Sequence, residues 1–390
     1  MRVYVPIDSA AVSIGADEVA REIARIDPTV EIVRNGSRGA LWLETLVEVQ
    51  TPSGRIAYGP VMPNDVGSLF EADFLSGGPH RLSLGATDGI EWLASQDRIT
   101  FARVGIIDPL SLDDYREHGG LVGLKRALTL SAQEVIDELS DSGLRGRGGA
   151  GFPAGIKWRT VLQTPAVQKY ICCNADEGDS GTFADRMLME GDPFTLIEGM
   201  TIAGITVGAT LGIVYIRSEY PAAITTLQKA IDIARESNLL GESVLGTTQS
   251  FNISIRIGAG SYVCGEETAM LESIEGKRGV VRAKPPLPAV EGLFGQPTVI
   301  NNVLTLATVP MILAQGSQAY KERGVGRSLG TQVFQLAGNI ARGGIVEKAF
   351  GVTLADLVNS YGGGSLSARA VRAVQVGGPL GQLFRDQDGP

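Results

Sequence analysis

Residues 143–158, GLRGRGGAGFPAGIKW, place six glycines, two arginines and one lysine within sixteen positions. Gly146, Gly148 and Gly151 satisfy G-x-G-x-x-G literally, yet a Rossmann dinucleotide site needs a strand ahead of that motif. A helix stands there instead: SAQEVIDELSDSG, 131–143, opens on a capping box of Ser131 and Glu134 and closes on Gly143. A Walker A loop fails as well, because Lys157 is displaced by Ile156 and followed by Trp158 instead of Ser or Thr. What remains is physical. Glycines let successive backbone N–H groups converge on an anion, and Arg145, Arg147 and Lys157 add positive charge nearby. Taken alone the stretch also reads as a mobile loop of solvated cations. Phe152 and Trp158 argue against that, since aromatic faces beside an anion-binding backbone suit a nucleotide.

Outward from this stretch, strands and helices alternate. KYICCNA (169–175) reads as a buried strand, EGMTIAGITVGA with LGIVYIR as helix then strand, PAAITTLQKAIDIARESN as an amphipathic helix, and FNISIRIGAG as a strand with Phe251, Ile253, Ile255 and Ile257 alternating. That order predicts an α/β domain, 96–328, around a largely parallel sheet. Ahead of it, residues 1–95 read as a βαββ(α) unit: VYVP, the helix ADEVAREIARI, and a hairpin of LWLETLVEVQ and RIAYGPV joined by TPSG. After it, TQVFQLAG, GIVEKAF and LADLVNSYG suggest a small α+β module, 329–390.

Composition bounds the function. The 390 residues are 44% hydrophobic and 20% charged with net charge −9, and no basic tract marks a nucleic-acid footprint. The uncharged runs 199–216 and 298–320 are broken by Gly, Thr, Asn or Pro, so helix, turn and strand fit them better than a membrane span. MRVYVPIDSA shows no apolar signal region, and a cytoplasmic address is expected. Cys172, Cys173 and Cys264 lack C-x-x-C spacing and are expected to be small buried hydrophobes. Only His80 and His118 exist, both outside the motif-bearing stretches, and no G-x-S-x-G occurs. Any chemistry must then be carried by a cofactor.

Three further constellations stand out. ICCNADEGDSGTF (171–183) runs from a strand into Asn174, Asp176, Glu177 and Asp179, polar groups at a strand's carboxyl end where α/β sheets bind ligands, although a solvated acidic turn fits equally. GAGSYVCGEETAMLESIEGKRG (258–279) follows strand FNISIRI and puts Glu266 and Glu267 at the start of a helix, where favourable interaction with the helix dipole alone, about 0.3–1 kcal/mol each, can account for them. RAKPPLPAVEGLFGQPTVINNVLTLATV (282–309) has a proline turn after Lys284, then Asn301 and Asn302 opening an apolar helix; one of the two is a natural N-cap.

In this order the four segments closely resemble the flavoprotein family that contains the NADH-oxidising 51 kDa-like subunit of respiratory complex I, the diaphorase of NAD-reducing hydrogenases and the β subunit of NAD-dependent molybdenum formate dehydrogenases. The resemblance spans about 120–385, and the N-terminal unit with DPLSLDDYREHGGL is most similar to the formate dehydrogenase β subunit. It implies FMN surrounded by Gly146, Arg147, Gly148, Lys157, Asn174, Asp176, Glu177, Tyr262, Gly265, Glu266, Glu267, Asn301 and Asn302. It places Gly149, Gly151, Phe152, Asp179, Glu267 and Lys284 toward NAD(H), with Glu177 and Glu267 positioning the flavin chemistry. Thr160 and Leu287 stand where relatives carry aromatics, leaving Phe152 as the main stacking face for adenine. Hydride exchange between NAD(H) and FMN, then single-electron exchange with iron–sulfur clusters, is the activity implied, with no side chain needed as acid or base. The resemblance further implies a thioredoxin-like fold without cluster ligands for 1–95, a β-grasp fold for 329–390, and two partners: a small 2Fe-2S thioredoxin-like subunit and a molybdenum-containing formate dehydrogenase subunit. Complex I and hydrogenase subunits are the alternative assemblies, and a non-catalytic ligand-binding module the alternative of another class. Relatives continue into a helical bundle holding a 4Fe-4S cluster on a C-x-x-C-x-x-C run. No such run precedes Pro390, so a fragment of a longer protein is expected, and no metal is expected in this chain.

Overall fold

Two compact units divide the chain: Met1–Pro109 with Val333–Lys348 and the segment from Val352 onward, and Leu110–Gln332 with Ala349–Gly351. The computed structural model describes residues 1–378 and 381–385.

In the first unit β1 (Arg2–Tyr4) is followed by α1 (Ser9–Ser13) and α2 (Ala16–Ile26), which turns Ala16, Val19, Ala20 and Ile23 inward at helical spacing. β1 pairs parallel with β2 (Glu31–Val33) and antiparallel with β3 (Val47–Thr51); β4 (Gly54–Tyr58), α3 (Val66–Glu71), β5 (Ser83–Ala86) and α4 (Glu91–Ala94) complete the unit's N-terminal part. The strands lie in the order β2-β1-β3-β4-β5 and form one mixed sheet. Two of them, β2 and β5, are additions to the expected βαββ(α) pattern.

Part of the segment 329–390, expected as a small α+β module, packs into this unit's core. Val346, Leu357 and Tyr361 pack with Ala40, Leu43, Leu46 and Trp92, and the Trp92 indole N–H donates to the Tyr361 carbonyl at 3.2 Å. Buried Glu347 accepts backbone N–H bonds from Ile99, Thr100 and Phe101, so its charge is met on the chain it packs against. Within the segment Thr331–Leu336 pairs with Gly344–Ala349, and Ala373–Val376 pairs antiparallel with Gln382–Arg385. Residues 379–380 and 386–390 of the expected β-grasp module lie outside the described residues.

The second unit opens with α5 (Leu112–Glu117), α6 (Val122–Ala127) and α7 (Ala132–Ser142). In α7 both bonds of the Ser131–Glu134 capping box form and Gly143 closes the helix at φ 71°. Then come α8 (Ala154–Gln163), β6 (Tyr170–Ala175), α9 (Ala184–Gly191), α10 (Pro193–Val207), β7 (Leu211–Ile216), α11 (Pro221–Glu236), β8 (Asn252–Ile257), α12 (Glu267–Ile274), β9 (Thr298–Asn302) and α13 (Val303–Gln315). Four parallel strands lie in the order β8-β7-β6-β9. α10 is apolar nearly all round and therefore buried nearly all round, packed on α13 and the strands. Its one carboxylate, Glu198, accepts from the N–H groups of Leu121 and Leu124, both at 2.8 Å, and so caps α6. Among the described residues no helix is long and apolar enough to cross a membrane.

This strand order contains a topological switch point. From β6 the chain moves by way of α9 and α10 to β7 and then β8 on one side, whereas β9 lies on the other side of β6. The carboxyl ends of β6 and β9 therefore flank a topological switch point, where open α/β sheets bind ligands.

Candidate functional site

Each of the four segments reaches this switch point, and cross-links tie them together. The glycine-rich loop between α7 and α8 is closed by an Arg145–Pro153 bridge, with Gly146 N–H donating to Phe152 O and Ala154 N–H to Leu144 O, both at 2.9 Å. That lacing makes it a structured loop. Lys157 on α8 donates to the Ile300 carbonyl on β9 at 2.7 Å and lies 3.5 Å from Glu267. The indole N–H of Trp158 donates to Asn301 Oδ1 at 2.9 Å. A Cβ on Gly148 would sit 3.1 Å from the Asn302 Cβ, so the first and fourth segments meet in close contact there.

The second and third segments meet in the same way. Asn174, at the end of β6, donates to the Gly265 carbonyl at 2.8 Å. The Tyr262 hydroxyl donates to Asp179 at 2.9 Å. A Cβ on Gly178 would lie 3.1 Å from the Tyr262 ring and 3.3 Å from Asp176 Oδ2. Lys284, from the fourth segment, donates to Glu266 at 2.9 Å and to Glu267 at 2.8 Å.

Several of these side chains also have a structural task. Asn302 is the N-cap of α13, accepting from Leu304 N–H, and its amide donates to Asp185. Glu266 is the N-cap of α12, accepting from Thr268 and Ala269, while Glu267 stands in the first turn. Glu177 accepts from the N–H groups of Asp185 and Arg186 at the start of α9, and from the Tyr220 hydroxyl. The Arg147 guanidinium donates to the carbonyls of Arg145, Leu329 and Thr331 and to the Tyr320 hydroxyl, which braces the first loop. The other cations that these segments bring to the site are Lys157, Lys284 and Arg145, whose Nε donates to the Gly151 carbonyl at 2.6 Å. Gly149 and Gly151 hold φ 105° and 60° with open space beside them, and Phe152 is 47% exposed. Thr160 bonds back to Ile156 O, and Leu287 is 52% exposed.

Burial sets the electrostatics. It raises the Asp176 carboxyl to about 6, with Arg217 pulling the other way and Glu219 reinforcing the rise. Burial likewise raises Glu177 and, more strongly, Asp185, which the Glu177 charge pushes further up. It lowers the Lys157 ammonium despite Glu267 nearby. For Lys284 burial also acts downward, but its bonds to Glu267 and Glu266 outweigh it and hold the group above its usual value. Arg217, just past the end of β7, bonds the Glu177 carbonyl and lies outside the four sequence motifs. Its signal is a charged residue at the carboxyl end of a strand, comparable to the place of Asn174 at the end of β6.

The histidines stay apart. His80 lies beside Ser68 in the first unit and His118 is exposed at the end of α5. All three cysteines are buried and unpaired, and burial raises the thiols of Cys172 and Cys173. No group of three or more metal-ligating side chains occurs among the described residues. A separate open depression of about 590 Å³ lies beside Glu272, Glu275, Arg282 and Phe294; its arginine is paired with both glutamates.

Carboxylates and amides able to meet polyol hydroxyls and ring N–H and C=O groups, glycine N–H groups and lysines able to meet a phosphate, and an exposed aromatic ring are brought together by these ties at the switch point. That donor set fits a flavin nucleotide. Comparison with known proteins agrees: residues 139–311 match the Nuo51 FMN-binding domain. The chain is 49% identical over 293 residues to the NADP-reducing hydrogenase subunit HndC of Solidesulfovibrio fructosivorans, covering 75% of this chain and 60% of that one. It is 46% identical over 281 residues to an NADH-quinone oxidoreductase subunit of Rhizobium meliloti, covering 72% of this chain and 67% of that one. The crystal structure of an NAD+-reducing NiFe hydrogenase in the H2-reduced state aligns with a TM-score of 0.64 at 28% identity, over 99% of this chain and 64% of that one. The chain belongs to the complex I 51 kDa-like FMN-binding flavoprotein family. It spans 60% and 67% of the length of these two curated relatives.

Proposed function

We propose that this chain is the NAD(H)-oxidising diaphorase part of a larger electron-transfer complex. The observation that supports the reading best is the convergence of four distant segments on one switch-point crevice through ties such as Lys157 to Ile300 and Tyr262 to Asp179. Bound FMN supplies the ability to take a hydride from a nicotinamide and release electrons singly. The protein's own work is binding, orientation and charge. Gly146, Gly148 and Lys157 face the FMN phosphate and ring; Asn174, Asp176, Glu177, Tyr262, Gly265, Glu266, Glu267, Asn301 and Asn302 complete its surroundings. Gly149, Gly151, Phe152, Asp179, Glu267 and Lys284 receive the dinucleotide. Arg147 serves by bracing the first loop.

Retention of FMN at nanomolar strength needs about 12 kcal/mol, whereas an exposed ion pair contributes about 0–1 kcal/mol. Directed hydrogen bonds from the half-buried amides and carboxylates must therefore dominate. No side chain in the crevice needs to move a proton for hydride transfer; positioning suffices.

For the assembly, hydrogenase and complex I subunits among the relatives support a partner of those kinds over the formate dehydrogenase expected from the N-terminal unit and DPLSLDDYREHGGL. A 2Fe-2S subunit as electron acceptor is common to all three readings. The test is an anaerobic titration of FMN-loaded protein with NADH, followed by dye reduction. Bleaching of the flavin and NADH-dependent dye reduction are expected; a bound flavin that NADH leaves oxidised would refute the diaphorase reading.

A further inference from the structure

Arg217 reaches from the turn after β7 to the second segment. Its Nη1 donates to the Glu177 carbonyl at 2.6 Å, its Nη2 to Glu219 at 3.2 Å, and its guanidinium carbon lies 5.0 Å from the Tyr220 ring centroid. The Tyr220 hydroxyl lies 3.0 Å from both Glu177 Oε2 and the Thr182 carbonyl oxygen, which share its one proton. Glu177 sits at φ 38°, a left-handed conformation that a residue with a Cβ adopts at some cost. Arg217 and Tyr220 thus hold opposite ends of the same residue, one its carbonyl and the other its carboxylate. The Arg217 Nε is buried without a hydrogen-bond partner, an arrangement that stability alone does not favour.

We propose that Arg217 is a positioning residue of the flavin site, clamping the Glu177 carbonyl so that the loop after β6 keeps its left-handed turn and presents Asp176 and Glu177 to the cofactor. This rests on the FMN reading above. The groups that face Asp176 are Arg217 and Glu219 from the turn after β7, Tyr215 from β7 itself, and Tyr262 and Gly265 from the third segment. Among them Arg217 brings the positive charge that favours an ionised Asp176. Loss of that charge therefore moves the Asp176 titration upward while the loop loosens.

The test is FMN binding to apo-protein, followed by quenching of flavin fluorescence from pH 5 to 9, for wild type, Arg217→Gln and Arg217→Lys. Wild-type affinity is expected to fall as pH drops through about 6, as Asp176 takes up a proton. In Arg217→Gln the inflection should rise by about half a pH unit or more and affinity at neutral pH should fall about tenfold. In Arg217→Lys, which keeps the charge without the planar fork, the inflection should stay near wild type while affinity still falls. Should the glutamine variant not fold, the lysine variant decides: unchanged affinity overturns the clamp. An unmoved inflection with wild-type affinity in Arg217→Gln overturns it as well. Wild-type protein that binds no FMN would instead defeat the underlying flavin reading.

Discussion

Lys157 and Ile300 stand 143 positions apart in sequence, yet the lysine ammonium donates to the isoleucine carbonyl at 2.7 Å. The bond brings a helix that follows a glycine-rich loop against the last strand of the parallel sheet, and it leaves a cation at the mouth of the switch-point crevice. Burial already disfavours that charge. Lys157→Met therefore trades relief of desolvation against an unpaired Ile300 carbonyl, and apo-protein stability should change by no more than about 1 kcal/mol. FMN affinity should nevertheless fall about 10- to 100-fold, because charge-assisted bonds contribute about 1.5–3 kcal/mol. Thermal unfolding without cofactor and fluorescence titration with it check the two halves separately.

Asp176 yields a pH signature. Its folded-state value, about 6, lies above its ordinary carboxylate value of 3.8, so the ionised side chain destabilises the empty protein. That penalty is absent at low pH and grows as pH rises from the unfolded value through the folded one. Asp176→Asn should make apo-protein more stable above about pH 6, by on the order of 1–2 kcal/mol after screening, with the difference vanishing toward pH 4. The same variant should bind FMN poorly. Urea unfolding across the pH range measures the first effect; equal wild-type and variant stability at pH 8 would contradict the assignment.

Tyr262 and Asp179 join two loops at the surface. Tyr262→Phe and Asp179→Ala should each speed FMN release about three- to tenfold while leaving folding stability within about 0.5 kcal/mol. The double variant should release FMN little faster than either single one, since both remove one interaction. Stopped-flow release rates provide the cycle, and additive effects would show that the pair does not act as a unit.

Leu287 offers a gain of function. The side chain is 52% exposed in the proline turn after Lys284, where an aromatic ring could stack on adenine. Leu287→Phe should lower KM for NADH about two- to tenfold, corresponding to about 0.5–1.5 kcal/mol for a ring pair, with kcat unchanged. Steady-state dye reduction measures it.

Much of this architecture was legible in the chain. The capping box at Ser131 and Glu134, the buried strand ending at Ala175 and the amphipathic helix from Pro221 lie where local patterns put them. β2, three residues long, is too short to show alternation, and it gains its place only by pairing with β1. The C-terminal segment could not be assigned to the first unit from sequence, because contacts such as Trp92 with Tyr361 join residues 269 positions apart. In the crevice, residue types announced polar chemistry, but their local duties were hidden. That Glu177, Glu266 and Asn302 also cap helices follows from backbone geometry at three separate helix starts. Arg147 reads in sequence only as nearby positive charge, and one of the carbonyls that engage it lies as far on as Thr331.

The central claim is that one flavin nucleotide is held by four separated stretches of this polypeptide at once. Amide hydrogen exchange of the apo-protein, repeated with saturating FMN, tests it most directly. Protection should rise together in 143–158, 174–183, 258–267 and 282–302. Protection confined to a single stretch, or to none, would contradict the account.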